Sequence, residues 1–271
     1  MIRHVSRFFA NMIINYIQKP ISNYKSYQFI PLAELEEQMR PGDVLLVEGN
    51  QRVSSAIKYL TQSTWSHSAF YVGREAGIKD KYGHPAPLIE ADLTEGVIGV
   101  SLTKYLGYNT RICRPELITP ADNKAVQKFI IHSLGMSYDV KNVLDLARYL
   151  LPQPPVPSSW RRRMIALGSG EPSQAICSTL IARAFQSVNY PILPEITREN
   201  QREVLHIRHH SLFTPRDFDL SPYFSIVKPT IENRPDYKSF EWRAARLSNR
   251  MASPKTMLEN TETDEAASHE T

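Results

Sequence analysis

The sequence predicts an α+β domain in which helices flank a short antiparallel sheet. Short apolar segments typical of strands are concentrated between residues 44 and 114, and segments with helical spacing precede and follow them. Of the 271 residues, 42% are hydrophobic and 10% are aromatic, which is enough for a buried core. A chain of this length can form one large domain or two small ones.

The first half of the folded region alternates helices and strands. The pattern predicts a helix over 32–39, a turn at Arg40-Pro41-Gly42-Asp43, a strand over 44–47 and a helix over 54–60. The later strands are predicted over 66–72, 88–91, 96–101 and 110–114. A hairpin loop with Gly and Pro, over 74–87, connects the first two of them.

The second half is richer in helices. Helices are predicted over 121–134, 140–151 and 176–188, and the segment 211–227 is expected to be loop-rich and to end in a strand. The prolines that follow residue 151 break the second of these helices, because proline lacks an amide proton and clashes with the preceding turn.

The composition along the chain predicts three regions. They are an N-terminal amphipathic segment (1–30), a folded domain (31–230) with a proline-rich and basic insertion (152–172), and a C-terminal extension (231–271). The extension becomes polar and acidic, and we expect disorder from about residue 253.

The charge and the cysteine count exclude some classes of protein. The net charge of +4 comes from 32 basic and 28 acidic residues, a balance that does not require a nucleic-acid partner, and no motif for binding DNA or RNA appears. The chain has only two cysteines, which favours a reducing compartment and therefore the cytoplasm.

Two segments are candidates for peripheral membrane contact. In residues 1–20, apolar side chains recur at helical spacing beside Arg3 and Arg7, and residues 160–167 combine an aromatic, a basic run and an apolar run. The alternatives are a helix docked on the protein's own core and a solvated basic loop, and both stay open. No segment is long enough to span a bilayer.

Cys177 is a candidate nucleophile because it lies in the first turn of a predicted helix. Unpaired amides and the helix dipole at that end favour a thiolate. The competing interpretation is a core residue, since Cys177 shares a helical face with Leu180 and Phe185. Cys113 lies on a predicted strand between arginines, without a helix terminus, and is expected to be structural.

His67 and Glu90 are candidates for the base and for its carboxylate partner. His67 lies near the start of a strand, and Glu90 lies in the apolar strand that follows it. A carboxylate in such a strand is costly unless it is paired, and a histidine would supply the partner. The alternatives are a hydrogen-bonded structural histidine and a salt bridge from Glu90 to an Arg or Lys.

A metal site is a further hypothesis. Its ligands would come from Glu203, His206, His209 and His210, of which His206 and His210 are four apart and would share a helical face. The sequence around them lacks another cluster of ligands at a suitable spacing.

The order of these motifs resembles that of a known family. A glycine-aspartate turn (40–43), a Ser-His strand (66–73), a Glu strand (89–91), the segment 135–139, the helix start Ile176-Cys177-Ser178-Thr179 and the motif 214–218 follow one another. This order is similar to that of the circularly permuted papain-like cysteine hydrolases, in the YiiX/YebB-like branch of the NlpC-type superfamily. The resemblance covers about residues 31–228.

The resemblance implies a papain-like fold in circularly permuted order and a triad of Cys177, His67 and Glu90. Cys177 would attack an amide, ester or thioester of a small-molecule, peptide, acylated or lipid substrate, and its backbone amide would contribute to the oxyanion hole. Tyr138 would bind the substrate or support the oxyanion. No metal or organic cofactor is expected. The alternatives are an acyltransferase and a non-catalytic module that binds a lipid or peptide.

Overall fold

The core of the fold is a six-stranded sheet that carries helices on both faces. The computed structural model describes residues 31–136 except 93, residues 176–228 except 200 and 201, and positions 16, 19, 20, 21, 24 and 26. These residues belong to one compact unit, Met1–Asn233. The predictions for most of segment 1–30, for the helix over 140–151, for the insertion 152–172 and for the extension 231–271 lie outside the described residues.

The helices and strands follow one another in an order that brings the last strand back beside an earlier one. The helices are α1 Leu32–Gln38, α2 Arg52–Thr61, α3 Pro120–His132, α4 Ile176–Gln186 and α5 Pro215–Leu220. The strands are β1 Val44–Val47, β2 His67–Tyr71, β3 Leu88–Asp92, β4 Gly96–Val100, β5 Thr110–Pro115, β6 Glu195–Glu199, β7 Arg202–His206 and β8 Phe224–Val227. Short 3₁₀ helices cover Arg74–Ala76, Leu102–Tyr105 and His210–Leu212.

All pairings in the six-stranded sheet are antiparallel, and the strand order is β4-β3-β2-β1-β5-β8. The register places Val47 opposite His67. Strands β6 and β7 form a separate two-stranded hairpin. The predicted α+β class, with an antiparallel sheet packed against helices, is therefore confirmed.

Each face of the sheet has its own hydrophobic core. One core contains Phe70 of β2 and Val72, which follows the strand, together with the inner sides of α3 and α4. The other contains Ala69 and Tyr71 of the same strand, which pack with α1 and with the 3₁₀ helix Leu102–Tyr105. Successive side chains of a strand point to opposite faces, so β2 contributes to both cores.

The Arg40-Pro41-Gly42-Asp43 motif anchors the sheet. Gly42 adopts φ +107°, and its N–H donates to the Tyr71 carbonyl at 2.9 Å. The buried Asp43 carboxylate accepts bonds from Arg114 Nε and Nη2 at 2.9 and 2.8 Å and from the Arg40 N–H at 2.8 Å. The turn thus ties β1 to β2 and β5.

The C-terminal part differs from the prediction in two respects. Helix α5 forms within the segment 211–227, which was expected to be loop-rich, and the β6–β7 hairpin forms where no element was predicted. His206 ends strand β7, and His210 begins a 3₁₀ helix. The prediction that these two histidines share a helical face is therefore wrong, because no α-helix continues from one to the other.

Candidate active site

Cys177 is the second residue of α4, in the first turn as predicted. Its side chain is 6% exposed and contributes to the core shared by α3, α4 and the sheet. The helix buries the rest of this face, with Leu180, Ile181, Ala184 and Phe185. Cys177 thus belongs to the core and lies at its edge, at the N-terminal end of α4.

His67 and Glu90 are in contact, as the sequence predicted. His67 is the first residue of β2, and its Nε2 lies 3.1 Å from Glu90 Oε2 in β3. The His67 side chain is 25% exposed, whereas that of Glu90 is only 1% exposed. Because Nε2 faces the carboxylate, Nδ1 is the ring nitrogen left for another partner.

Glu90 has two further partners that the sequence did not reveal. Lys104 Nζ donates to Oε1, and the Tyr105 hydroxyl donates to Oε2. Both residues lie on the 3₁₀ helix that follows β4. Glu90 is therefore paired with the histidine and with a lysine at the same time, so the two interpretations of this residue do not exclude each other.

The Cys177 thiol lies beside the imidazole of His67 and beside Ser68. Burial by itself raises the pKa of the thiol, but the charge of His67 and hydrogen bonds from His67 and from the Ser68 hydroxyl and amide outweigh burial, so the pKa is lowered. In the described part of the chain, the buried Ser68 Oγ forms no other hydrogen bond.

Opposing effects act on the pKa of His67. Burial lowers it, while the negative charges of Cys177 and Glu90 and hydrogen bonds to both residues raise it, with a net rise to about 10. For Glu90, burial raises the pKa, but His67 and Lys104 outweigh burial and lower the pKa to about 2. An imidazolium held between a thiolate and a carboxylate is the protonation state that these shifts favour.

Cys113 has a different environment. It lies on β5, fully buried between Val44 of β1 and Ile226 of β8 in the sheet. Burial raises its pKa far above the ordinary value for a thiol. The Cys113 thiol therefore stays protonated and unreactive.

Of the two residues expected to support the oxyanion, Cys177 lies within the described residues. The N–H of Cys177 lies in the first turn of α4, where amides have no acceptor within the helix. Tyr138, the second predicted contributor, lies outside the described residues.

Within the described ranges, no three His, Cys, Asp or Glu side chains are grouped so that they could hold a metal ion. Of the histidines named as ligands, His206 pairs through Nε2 with the Thr197 hydroxyl at 2.7 Å, and His209 stacks on His210 with ring centroids 4.0 Å apart. Among the described helices, none is long and apolar enough to cross a membrane.

No family model matches the chain, and no curated protein matches it. Among solved structures, the chain is similar to that of the metalloprotein YiiX from Escherichia coli O157:H7. The TM-score is 0.41 and the identity 14%, over 70% of this chain and 97% of that chain.

Proposed function

We propose that the protein is a cysteine hydrolase of the circularly permuted papain-like, YiiX-like type, in which Cys177 is the nucleophile, His67 the base and Glu90 the residue that orients the base. One observation carries the proposal: His67 interacts both with the Cys177 thiol and with the buried Glu90 carboxylate. A cysteine that served only as a core residue would not need an imidazole with its own carboxylate partner.

The reaction follows from this arrangement. The Cys177 thiolate attacks the carbonyl carbon of an amide, ester or thioester, and the carbonyl oxygen becomes an oxyanion. The imidazolium of His67 then gives its proton to the leaving group as the carbon–heteroatom bond breaks, which leaves an acyl-enzyme. Neutral His67 next takes a proton from water, the hydroxide attacks the thioester, and the free acid leaves with Cys177 restored.

The other groups assist this sequence. Glu90 fixes Nε2 of His67, which leaves Nδ1 to exchange a proton with the sulfur. The N–H of Cys177, at the start of α4, donates to the oxyanion. Tyr138 is the second group that binds the oxyanion or the substrate. The candidate substrates are lipid-linked or acylated molecules. They would reach the site when residues 1–20 and 160–167 contact a membrane surface.

The pH dependence of alkylation by iodoacetamide tests the proposal. Because the pKa of Cys177 is lowered, its alkylation should persist well below pH ~8.5, where an ordinary thiol loses its thiolate. His67→Ala should move the alkylation profile of Cys177 up to that of an ordinary thiol. Mass spectrometry of the labelled peptides gives the rate at each cysteine, and Cys113 should stay unlabelled in the folded protein.

A matched control is His132→Ala, because His132 is exposed on α3 and bonds only locally, to the Lys128 carbonyl at 2.7 Å. This substitution should leave the alkylation profile unchanged. An ordinary thiol titration at Cys177 in the wild type, or a profile insensitive to His67→Ala, would refute the nucleophile and base assignments.

A further inference from the structure

The surroundings of Glu90 contain more than a triad needs. Its carboxylate is almost fully buried, and both oxygens are used: Oε1 by Lys104, and Oε2 by Tyr105 and His67. Lys104 itself is 43% exposed, so its ammonium reaches inward from the surface to meet a buried charge. The Tyr105 ring also lies against His67, with centroids 6.1 Å apart.

We propose that Lys104 is a positioning residue of this site, which together with Tyr105 holds the Glu90 carboxylate toward His67 and limits how strongly Glu90 stabilises the imidazolium. The inference deepens the proposed function and rests on it. The hydrogen bond of Lys104 goes to Glu90 Oε1, so its effect on His67 is transmitted through that carboxylate.

The physical reason lies in the proton that His67 must release. An imidazolium paired with an uncompensated buried carboxylate is a poor acid, because the pair is worth far more in a buried site than in water. A second cation on the same carboxylate weakens that pairing and makes the imidazolium a better proton donor to the leaving group. Lys104 supplies that cation, and it also prevents the carboxylate from rotating away from His67.

Other charged and titratable groups surround Lys104 and the Glu90–His67 pair. Asp92, also on β3, interacts electrostatically with Lys104, although its carboxylate accepts hydrogen bonds from the backbone N–H groups of Thr94 and Glu95 at 2.7 and 3.0 Å. Among the described residues, Tyr105 from the 3₁₀ helix and Cys177 from α4 are further titratable groups that face Glu90 or His67. An Asp92→Asn variant therefore separates an effect through Glu90 from one through Asp92.

The test is an NMR titration of the His67 imidazole in the full-length protein. Lys104→Gln removes the cation and should raise the pKa of His67 by ~0.5–1 unit, whereas Lys104→Arg keeps the cation and should restore the wild-type value. Tyr105→Phe, which removes one donor from Oε2 and keeps the ring, should also raise it. If Lys104 had a purely structural role, Lys104→Gln would not raise the pKa of His67 in a way that depends on the lost positive charge.

Lys81→Gln is the matched control, because Lys81 forms an exposed ion pair with Glu95 near the β3–β4 turn and does not touch Glu90. It should leave the pKa of His67 unchanged, as should Asp92→Asn. Thermal unfolding checks that each variant folds, and Lys104→Met replaces Lys104→Gln if the latter does not.

A second readout is the labelling of Cys177 by iodoacetate, an anion that the imidazolium attracts. Its rate should fall as His67 loses its proton, and in Lys104→Gln this fall should move to higher pH by the same amount. An unchanged or lower pKa of His67 in Lys104→Gln, or a failure of Lys104→Arg to restore it, overturns the role of Lys104. If the pKa of His67 depends on Lys104 but Cys177 titrates like an ordinary thiol, the proposed function is overturned instead.

Discussion

Cys177 and Cys113 are chemically identical side chains that the protein treats in opposite ways. Burial raises the pKa of both, yet only Cys177 has an imidazole and a serine beside it, and its pKa falls below the ordinary value. Cys113 has sheet neighbours on both sides, and its pKa stays high. The chemistry of the site therefore depends on the partners of the sulfur and not on its degree of burial.

Ser68 offers a test of this dependence. Its buried hydroxyl stabilises the thiolate, so Ser68→Ala should raise the pKa of Cys177 by ~0.5–1 unit and shift alkylation by iodoacetamide to higher pH. The matched control is Ser133→Ala, since Ser133 is also buried but bonds to the Phe129 carbonyl at 2.9 Å, away from the site. Equal profiles for wild type and Ser68→Ala would show that the hydroxyl does not stabilise the thiolate.

The order of motifs predicted the principal residues of the candidate site, and it missed their supports. Cys177, His67 and Glu90 were named from a helix start, a strand start and a carboxylate in an apolar strand. Strand alternation places Ser68 on the face opposite to His67. The sequence does not indicate that the N-terminal end of α4 lies beside Ser68. The sequence does not indicate that Lys104 pairs with Glu90, because the pairing of a partly exposed ammonium with a buried carboxylate depends on three-dimensional proximity.

Among the elements, the buried ones were the easiest to predict. Strand β1 was predicted with its observed bounds, because a run of four apolar residues after a turn has few other uses. The β6–β7 hairpin was missed, because its strands are charged and its apolar members, such as Ile196 and Leu205, are exposed. Hydrophobic periodicity carries little information where no face of an element is buried.

Gly42, in the turn before β1, should be more sensitive to substitution by alanine than Gly83. A Cβ at Gly42 would lie 2.4 Å from Asn123 Oδ1, and it would displace a side chain whose Nδ2 donates to the Pro41 carbonyl at 3.0 Å. At Gly83, φ is also positive, at +84°, but a Cβ meets nothing within 4 Å. Gly83→Ala therefore isolates the cost of the backbone conformation.

We expect Gly42→Ala to lower the free energy of unfolding by about 2–4 kcal/mol and Gly83→Ala by about 1–2 kcal/mol. Chemical denaturation of both variants measures the difference. Adding Asn123→Ala to Gly42→Ala should recover part of the loss, because it removes the obstructing side chain. Equal losses for the two glycine variants would show that the contact with Asn123 does not matter.

At the scale of the whole molecule, stability is distributed unevenly. Strand β1 is buried along its whole length and is paired on both sides, with β2 and β5. The β6–β7 hairpin is a two-stranded sheet with Ile196 56% and Leu205 45% exposed. A two-stranded hairpin has little stability of its own, so it should open without unfolding of the main sheet.

Hydrogen exchange measures this difference directly. Amides of β1 should exchange only through global unfolding, at least ~1000-fold more slowly than the hydrogen-bonded amides of β6 and β7. Mass spectrometry of peptides that cover 44–47 and 195–206 gives both rates in one sample. Similar protection of the two regions would show that the hairpin unfolds together with the main sheet.

The positions of the site residues along the chain also bear on synthesis. His67 and Glu90 belong to strands made early, whereas Cys177 follows much later, and β8, which completes the sheet beside β5, comes after it. The three groups therefore meet only after synthesis has passed residue 177 and α4 has docked on the sheet. In the proposed hydrolase, the nucleophile would then be activated only once most of the domain has been made.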